Sequence, residues 1–182
     1  MSRFSRRAWR AWRDEAGVAS VEFVMAVPIL MAIFVASFES GMFMVRSIML
    51  EQSLDMVMRE LRLGHYKHPT IKTTDADLKR EICKRSVVFP NCEASLKVNL
   101  TKINMTTFVI PNTQAECTNR SLPVAPAFDL VVGQENELML IQVCMVQDAL
   151  FPLTGIGLAL HADHTGGGYK IIAASAFAVE PS

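Results

Sequence analysis

Hydrophobic and polar positions change their pattern three times along this chain. From Val18 to Phe38 the run is apolar, with one charge, Glu22. At 1.5 Å per residue such a helix spans about 31 Å, one bilayer core. Beyond it the period becomes amphipathic: Leu50, Leu54, Val57 and Leu61 recur at i, i+4, i+7 and i+11, one face of a helix. Arg59 and Arg62 fit a last turn and Gly64 a C′ position. We therefore expect one helix over residues 18–63, about 45 residues long, half in lipid and half packed on protein. Pro28 should kink it without ending it, and Glu39 falls at the outer membrane boundary, where a carboxylate is cheap.

After residue 64 the pattern is that of a small mixed domain. Thr74-x-x-Asp77 can cap a short helix through Lys84, with Leu78 and Ile82 inward. Ala94, Leu96, Val98 and Leu100 alternate with Ser95, Lys97, Asn99 and Thr101, a half-buried strand. Residues 103–110 are expected to pair with it. Glu137–Gln147 is apolar on both faces and should be the central strand, and Tyr169–Val179 is the last. Residues 111–136 and 148–168, rich in proline or glycine, read as two long loops. The fold class is α+β: a long helix packed on a small antiparallel sheet, with a basic leader at 1–17 and a domain at 64–182.

Charge and cysteine add direction and compartment. The chain is formally neutral, but residues 1–17 hold five arginines against Asp14 and Glu15. Basic flanks stay cytoplasmic, so the domain at 64–182 is expected to face outward, as part of a single-pass protein. The remainder is net acidic, which excludes the basic footprint of a nucleic-acid binder. Cys83, Cys92, Cys117 and Cys144 all follow the apolar run and form no CxxC. An even count there implies two disulfides. Of three pairings we favour Cys83–Cys92, which closes a local loop, and Cys117–Cys144, which ties a loop to a strand.

Glu22 is the residue that needs explaining, because a carboxylate inside a bilayer helix costs about 2.5 to 3.5 kcal/mol at the centre and less near an end. A cut after Gly17 makes Val18 the N-terminus and places its ammonium four residues from Glu22, on the same helix face. Pairing with that ammonium, or with a neighbouring subunit's, offsets the cost and fixes the stagger between parallel helices. Gly-x-x-x-x-Glu behind a basic leader resembles the processing site of type IV prepilins, and Glu22-Phe23 is similar to their Flp branch. Arg13-Asp14-Glu15-x-Gly17-x-Ala19-Ser20-Val21-Glu22-Phe23, with Pro28, Glu39-x-Gly41 and Arg59-x-x-Arg62-x-Gly64, resembles the TadE-like minor pseudopilins of tight-adherence (Tad) pili. The resemblance implies a pilin-like fold in a bacterial inner membrane with the domain in the periplasm, removal of the leader by a prepilin peptidase after Gly17, Glu22 as register residue beside Phe23, and other pilins and pseudopilins as partners. Val18 departs from the Phe usual at that position in type IV pilins.

The competing readings are an uncleaved signal anchor bearing a periplasmic sensor or accessory domain, and a secretory signal peptide cut after Ser37. Catalysis has no support, and no cofactor is implied. His161-x-Asp163-His164 and the pair His65/His68 lack a third ligand, so no metal is expected, and Gly166-Gly167-Gly168 lacks the strand and helix of a phosphate site. Met25, Met31, Met42, Met44, Met49, Met56 and Met58 crowd the helix as core filler or as an adaptable surface for partner helices.

Overall fold

The computed structural model describes residues 18–62, 75–107, 117–120, 136–152, 154–161 and 167–179. The leader and Gly17, Gly64, His65, His68, Thr74, Asp163, His164 and Gly166 lie outside them, as do residues 108–110 and most of 111–136. Helix α1 spans Val18–Arg62 without interruption, Pro28 included. It is followed by α2 (Asp75–Arg85), a single turn α3 (Cys92–Ser95), β1 (Leu96–Ile103), β2 (Leu138–Gln147), α4 (Gly155–His161) and β3 (Tyr169–Ala178). The strands form one antiparallel sheet in the order β1-β2-β3. The architecture is the expected α+β one, a long helix on a small antiparallel sheet.

The amphipathic half of α1 provides the core. Leu50, Leu54 and Val57 are buried, with Leu61 packed against them. They meet Leu78 and Ile82 of α2 and the inner faces of the strands, where Val98, Val143 and Ala173 align in register. Burying one such Leu contributes about 2 kcal/mol. Polar contacts fix α2 on α1: the Ser86 and Ser53 hydroxyls lie 2.7 Å apart, and Arg85 donates to Glu60 at 2.6 Å. Strand β2 lies between β1 and β3, and it is largely buried on both faces. Met139, Ile141, Val143 and Met145 face the helices, whereas Leu140, Cys144 and Val146 are buried on the other side.

The disulfides join Cys83 to Cys92 and Cys117 to Cys144. The first links α2 to α3. The second pins Cys117–Arg120 across the outer face of β2, where Arg120 also donates to the Val146 carbonyl at 2.8 Å.

Three local expectations are corrected. Strand β1 begins at Leu96, because Ala94 and Ser95 complete the turn α3, entered through Asn91 in the left-handed region (φ 51). Asn tolerates that backbone better than other side chains. β1 pairs with β2, and of residues 103–110, expected as its partner, Ile103 still belongs to β1 and Met105–Thr107 form a turn, while 108–110 lie outside the described residues. Residues 148–168 are not a plain loop, since they contain α4.

Candidate functional site

The face of α1 that packs the domain can be followed upstream from Val57 through Ser53, Leu50 and Arg46 to Glu39, all on one line of the helix. Of its two charged members, Glu39 was expected at the outer membrane boundary and Arg46 was assigned no place. Glu39 is 0% exposed, not at a solvated boundary. Its Oε1 accepts the Leu150 amide at 3.0 Å and its Oε2 the Phe151 amide at 2.9 Å. Two charge-assisted bonds satisfy the carboxylate and make its burial tolerable.

Two turns along, Arg46 is buried too. Its Nη1 donates to the Asp148 carbonyl at 3.0 Å and to the Tyr169 hydroxyl, and its guanidinium carbon lies 5.9 Å from the Tyr169 ring centre. Arg46 Nε has no partner among the described residues. Tyr169 is enclosed by Phe43, whose ring centre is 5.4 Å away. Burial pushes the Tyr169 hydroxyl above its ordinary 10.0. The Arg46 hydrogen bond and charge oppose this, and the Glu39 and Asp148 charges add to it. One helix thus grips backbone groups of residues 148, 150 and 151, so the start of the β2–β3 connection is fastened to α1.

The connection is also tight within itself. Thr154 donates to the Phe151 carbonyl through its amide (3.1 Å) and its hydroxyl (2.8 Å), and that hydroxyl accepts the Gly157 amide at 3.1 Å. A Cβ on Gly157 would lie 2.1 Å from the Phe151 carbonyl oxygen, so only glycine fits there.

N-terminal to this clamp α1 is bare. An 18-residue window of it reaches a mean hydropathy of 2.4, and none of that window is buried against the rest of the chain. Val18 opens the helix, and Glu22 and Phe23 stand exposed one turn later. Glu22 precedes Glu39 by seventeen residues and is therefore rotated by about 100° from the line that carries the domain. The methionines divide: Met58 is core, whereas Met25, Met31, Met44 and Met56 are exposed. Sequence reasoning missed Glu39 and Arg46. The available signal was their spacing, since both continue the Leu50–Leu54–Val57 stripe upstream.

Residues 17–59 match the family model described as TadE-like protein. No curated protein and no solved structure matches the chain. The matched segment starts at Gly17 and contains Glu22, Glu39 and Arg46. An apolar helix of this kind is a candidate membrane anchor, and the family points to the cell envelope. Over residues 17–59 the chain is similar to the TadE-like family, consistent with a TadE-like protein of Tad pilus systems.

Proposed function

We propose that this chain is a minor pseudopilin, an assembly subunit of a tight-adherence pilus without catalytic activity of its own. A prepilin peptidase removes residues 1–17 at the cytoplasmic face of the inner membrane, the half-helix from Val18 to Phe38 holds the protein there, and the domain lies in the periplasm. The observation that carries this reading is Glu22. It is exposed on a bare apolar helix, about 6 Å along the axis from Val18, within a TadE-like match that begins at Gly17. Its rotation away from the domain-bearing line leaves it free to meet the N-terminal ammonium of an adjacent subunit, which sets the stagger of parallel helices. Other pilins and pseudopilins of the same system are the partners for the exposed apolar face.

The N-terminus of the protein isolated from membranes tests the processing step. A start at Val18 supports it, and an intact Met1 or a start at Phe38 overturns it in favour of a signal anchor or a signal peptide. Glu22→Ala tests the register step: cleavage should persist while incorporation into pili fails. Unchanged assembly in that variant would remove the role given to Glu22.

A further inference from the structure

The β2–β3 connection carries an apolar surface that the fold leaves open. Residues 149–161, Ala-Leu-Phe-Pro-Leu-Thr-Gly-Ile-Gly-Leu-Ala-Leu-His, contain no acidic residue, lysine or arginine. Leu150 is 43% exposed, Phe151 40% and Leu158 56%, in a segment too well bonded to swing inward. Large side chains left outside a rigid, charge-free segment mark a contact surface.

The height of this segment identifies the contact. The Glu39 carboxylate holds the Leu150 and Phe151 amides, so the connection sits level with residue 39 of α1. Counting from Val18, residue 39 lies about 31 Å along the helix, at the far face of one bilayer core. Phe38, the last residue of the apolar span, meets Phe151 edge-on with ring centres 6.2 Å apart. The open side chains therefore continue the lipid-facing surface of the helix sideways onto the domain. Asp148, at the start of the connection, pairs with Arg120 at 2.6 Å.

We propose that Leu150, Phe151 and Leu158 rest in the outer interface of the same phospholipid bilayer that α1 spans, as a second, monotopic contact. An interfacial helix or loop of this kind buries its apolar side a few ångströms below the headgroups. The contact holds the domain at a fixed height and rotation before the subunit leaves the membrane. Because Glu39 and Arg46 fasten the connection to α1, extraction of the helix lifts the patch out with it. This inference rests on the membrane-anchor reading above.

The test uses the full chain in nanodiscs of phosphatidylethanolamine and phosphatidylglycerol, with a fraction of the lipid spin-labelled near the top of its acyl chain. The four native cysteines are paired, so a thiol-reactive fluorophore labels only an introduced one. Labels are placed singly through Leu158→Cys, Leu150→Cys, Ile33→Cys and Val87→Cys. Ile33 lies in the span. Val87 is 86% exposed and follows Ser86, which meets α1 at Ser53, about 21 Å beyond Glu39. Quenching at 158 and 150 should exceed that at 87 several-fold and approach that at 33. Quenching at 33 with none above the 87 level at 158 and 150 overturns this contact and leaves the anchor intact. A label at 33 that escapes quenching overturns the anchor itself. If the labels at 158 and 150 respond to the number of chains per disc and not to the lipid quencher, the patch binds another subunit and the lipid contact is wrong.

Discussion

Glu39 Oε2 lies 2.9 Å from the Phe151 amide nitrogen, and the two residues are 112 positions apart in sequence. The companion bond to Leu150 makes the carboxylate a cap for two consecutive amides, a role that backbone groups at a helix N-terminus or in a turn usually satisfy locally. Glu39→Ala leaves both amides without their acceptor. Loss of charge-assisted bonds at a part-buried site is expected to cost about 3 kcal/mol. Thermal unfolding of the detergent-solubilised chain, followed by near-ultraviolet circular dichroism, measures that loss. Glu39→Gln keeps one good acceptor and should fall between wild type and the alanine variant. Equal stability of all three would show that the cap is dispensable.

Tyr169 carries a pH signature. Burial raises its folded-state pKa above 10.0 despite the opposing guanidinium of Arg46. Between the unfolded and folded values the unfolded chain has lost this proton while the folded chain keeps it. Stability from this group is therefore complete below pH 10 and declines as the pH rises beyond it. Tyr169→Phe removes that alkaline slope and, at neutral pH, about 1 kcal/mol for the hydrogen bond from Arg46. The measurement is the difference in denaturation midpoint between wild type and Tyr169→Phe from pH 8 upward, in which the lysines cancel. The difference should shrink with rising pH, and a difference that is constant or widens refutes the assignment.

These two residues also show where sequence reading stops. The Leu50–Leu54–Val57 face was legible because apolar side chains at helical spacing have one common cause, burial. Strand β2 was legible for a similar reason, its two-sided apolar run marking a central position. Glu39 and Arg46 lie on the same face, but a charge is buried only when a partner awaits it, and their partners are backbone groups and a phenol more than a hundred residues away. The strand next to β1 was misjudged because nearby residues 103–110 were the local choice, whereas β2 follows only after a long connection. Helix α4 was hidden by Gly155 and Gly157, which lower helix propensity. The close approach of Gly157 to the Phe151 carbonyl shows that packing, not propensity, requires glycine there.

The two disulfides should contribute unequally. Cys83–Cys92 closes a separation of 9 residues and Cys117–Cys144 one of 27. In the chain-entropy account these correspond to about 2.6 and about 3.6 kcal/mol of stabilisation. Replacing each pair by alanines in the full chain and comparing urea midpoints gives the order. The Cys117–Cys144 pair should cost more, also because Cys144 lies in the buried outer face of β2. A larger loss for the short pair would mean that the junction of α2 and α3 contributes more than loop closure.

The two sides of α1 where it meets the domain separate folding from assembly. Leu50 is fully buried among α1, α2 and the sheet, whereas Met44, six residues earlier, stands in solvent at the same end of the domain. Leu50→Ala leaves a cavity in the core and should cost 2 to 5 kcal/mol, about the range for buried leucines. Met44→Ala removes no internal contact of comparable size and should leave the unfolding midpoint within about 0.5 kcal/mol of wild type. If the exposed methionines form a surface for partner helices, the second variant should nevertheless lower pilus yield, while the first lowers it only in proportion to the protein that survives. Pilus recovery normalised to the amount of folded protein in the membrane distinguishes the two. A normal yield from the Met44 variant would mean that this flank of the helix meets no other subunit.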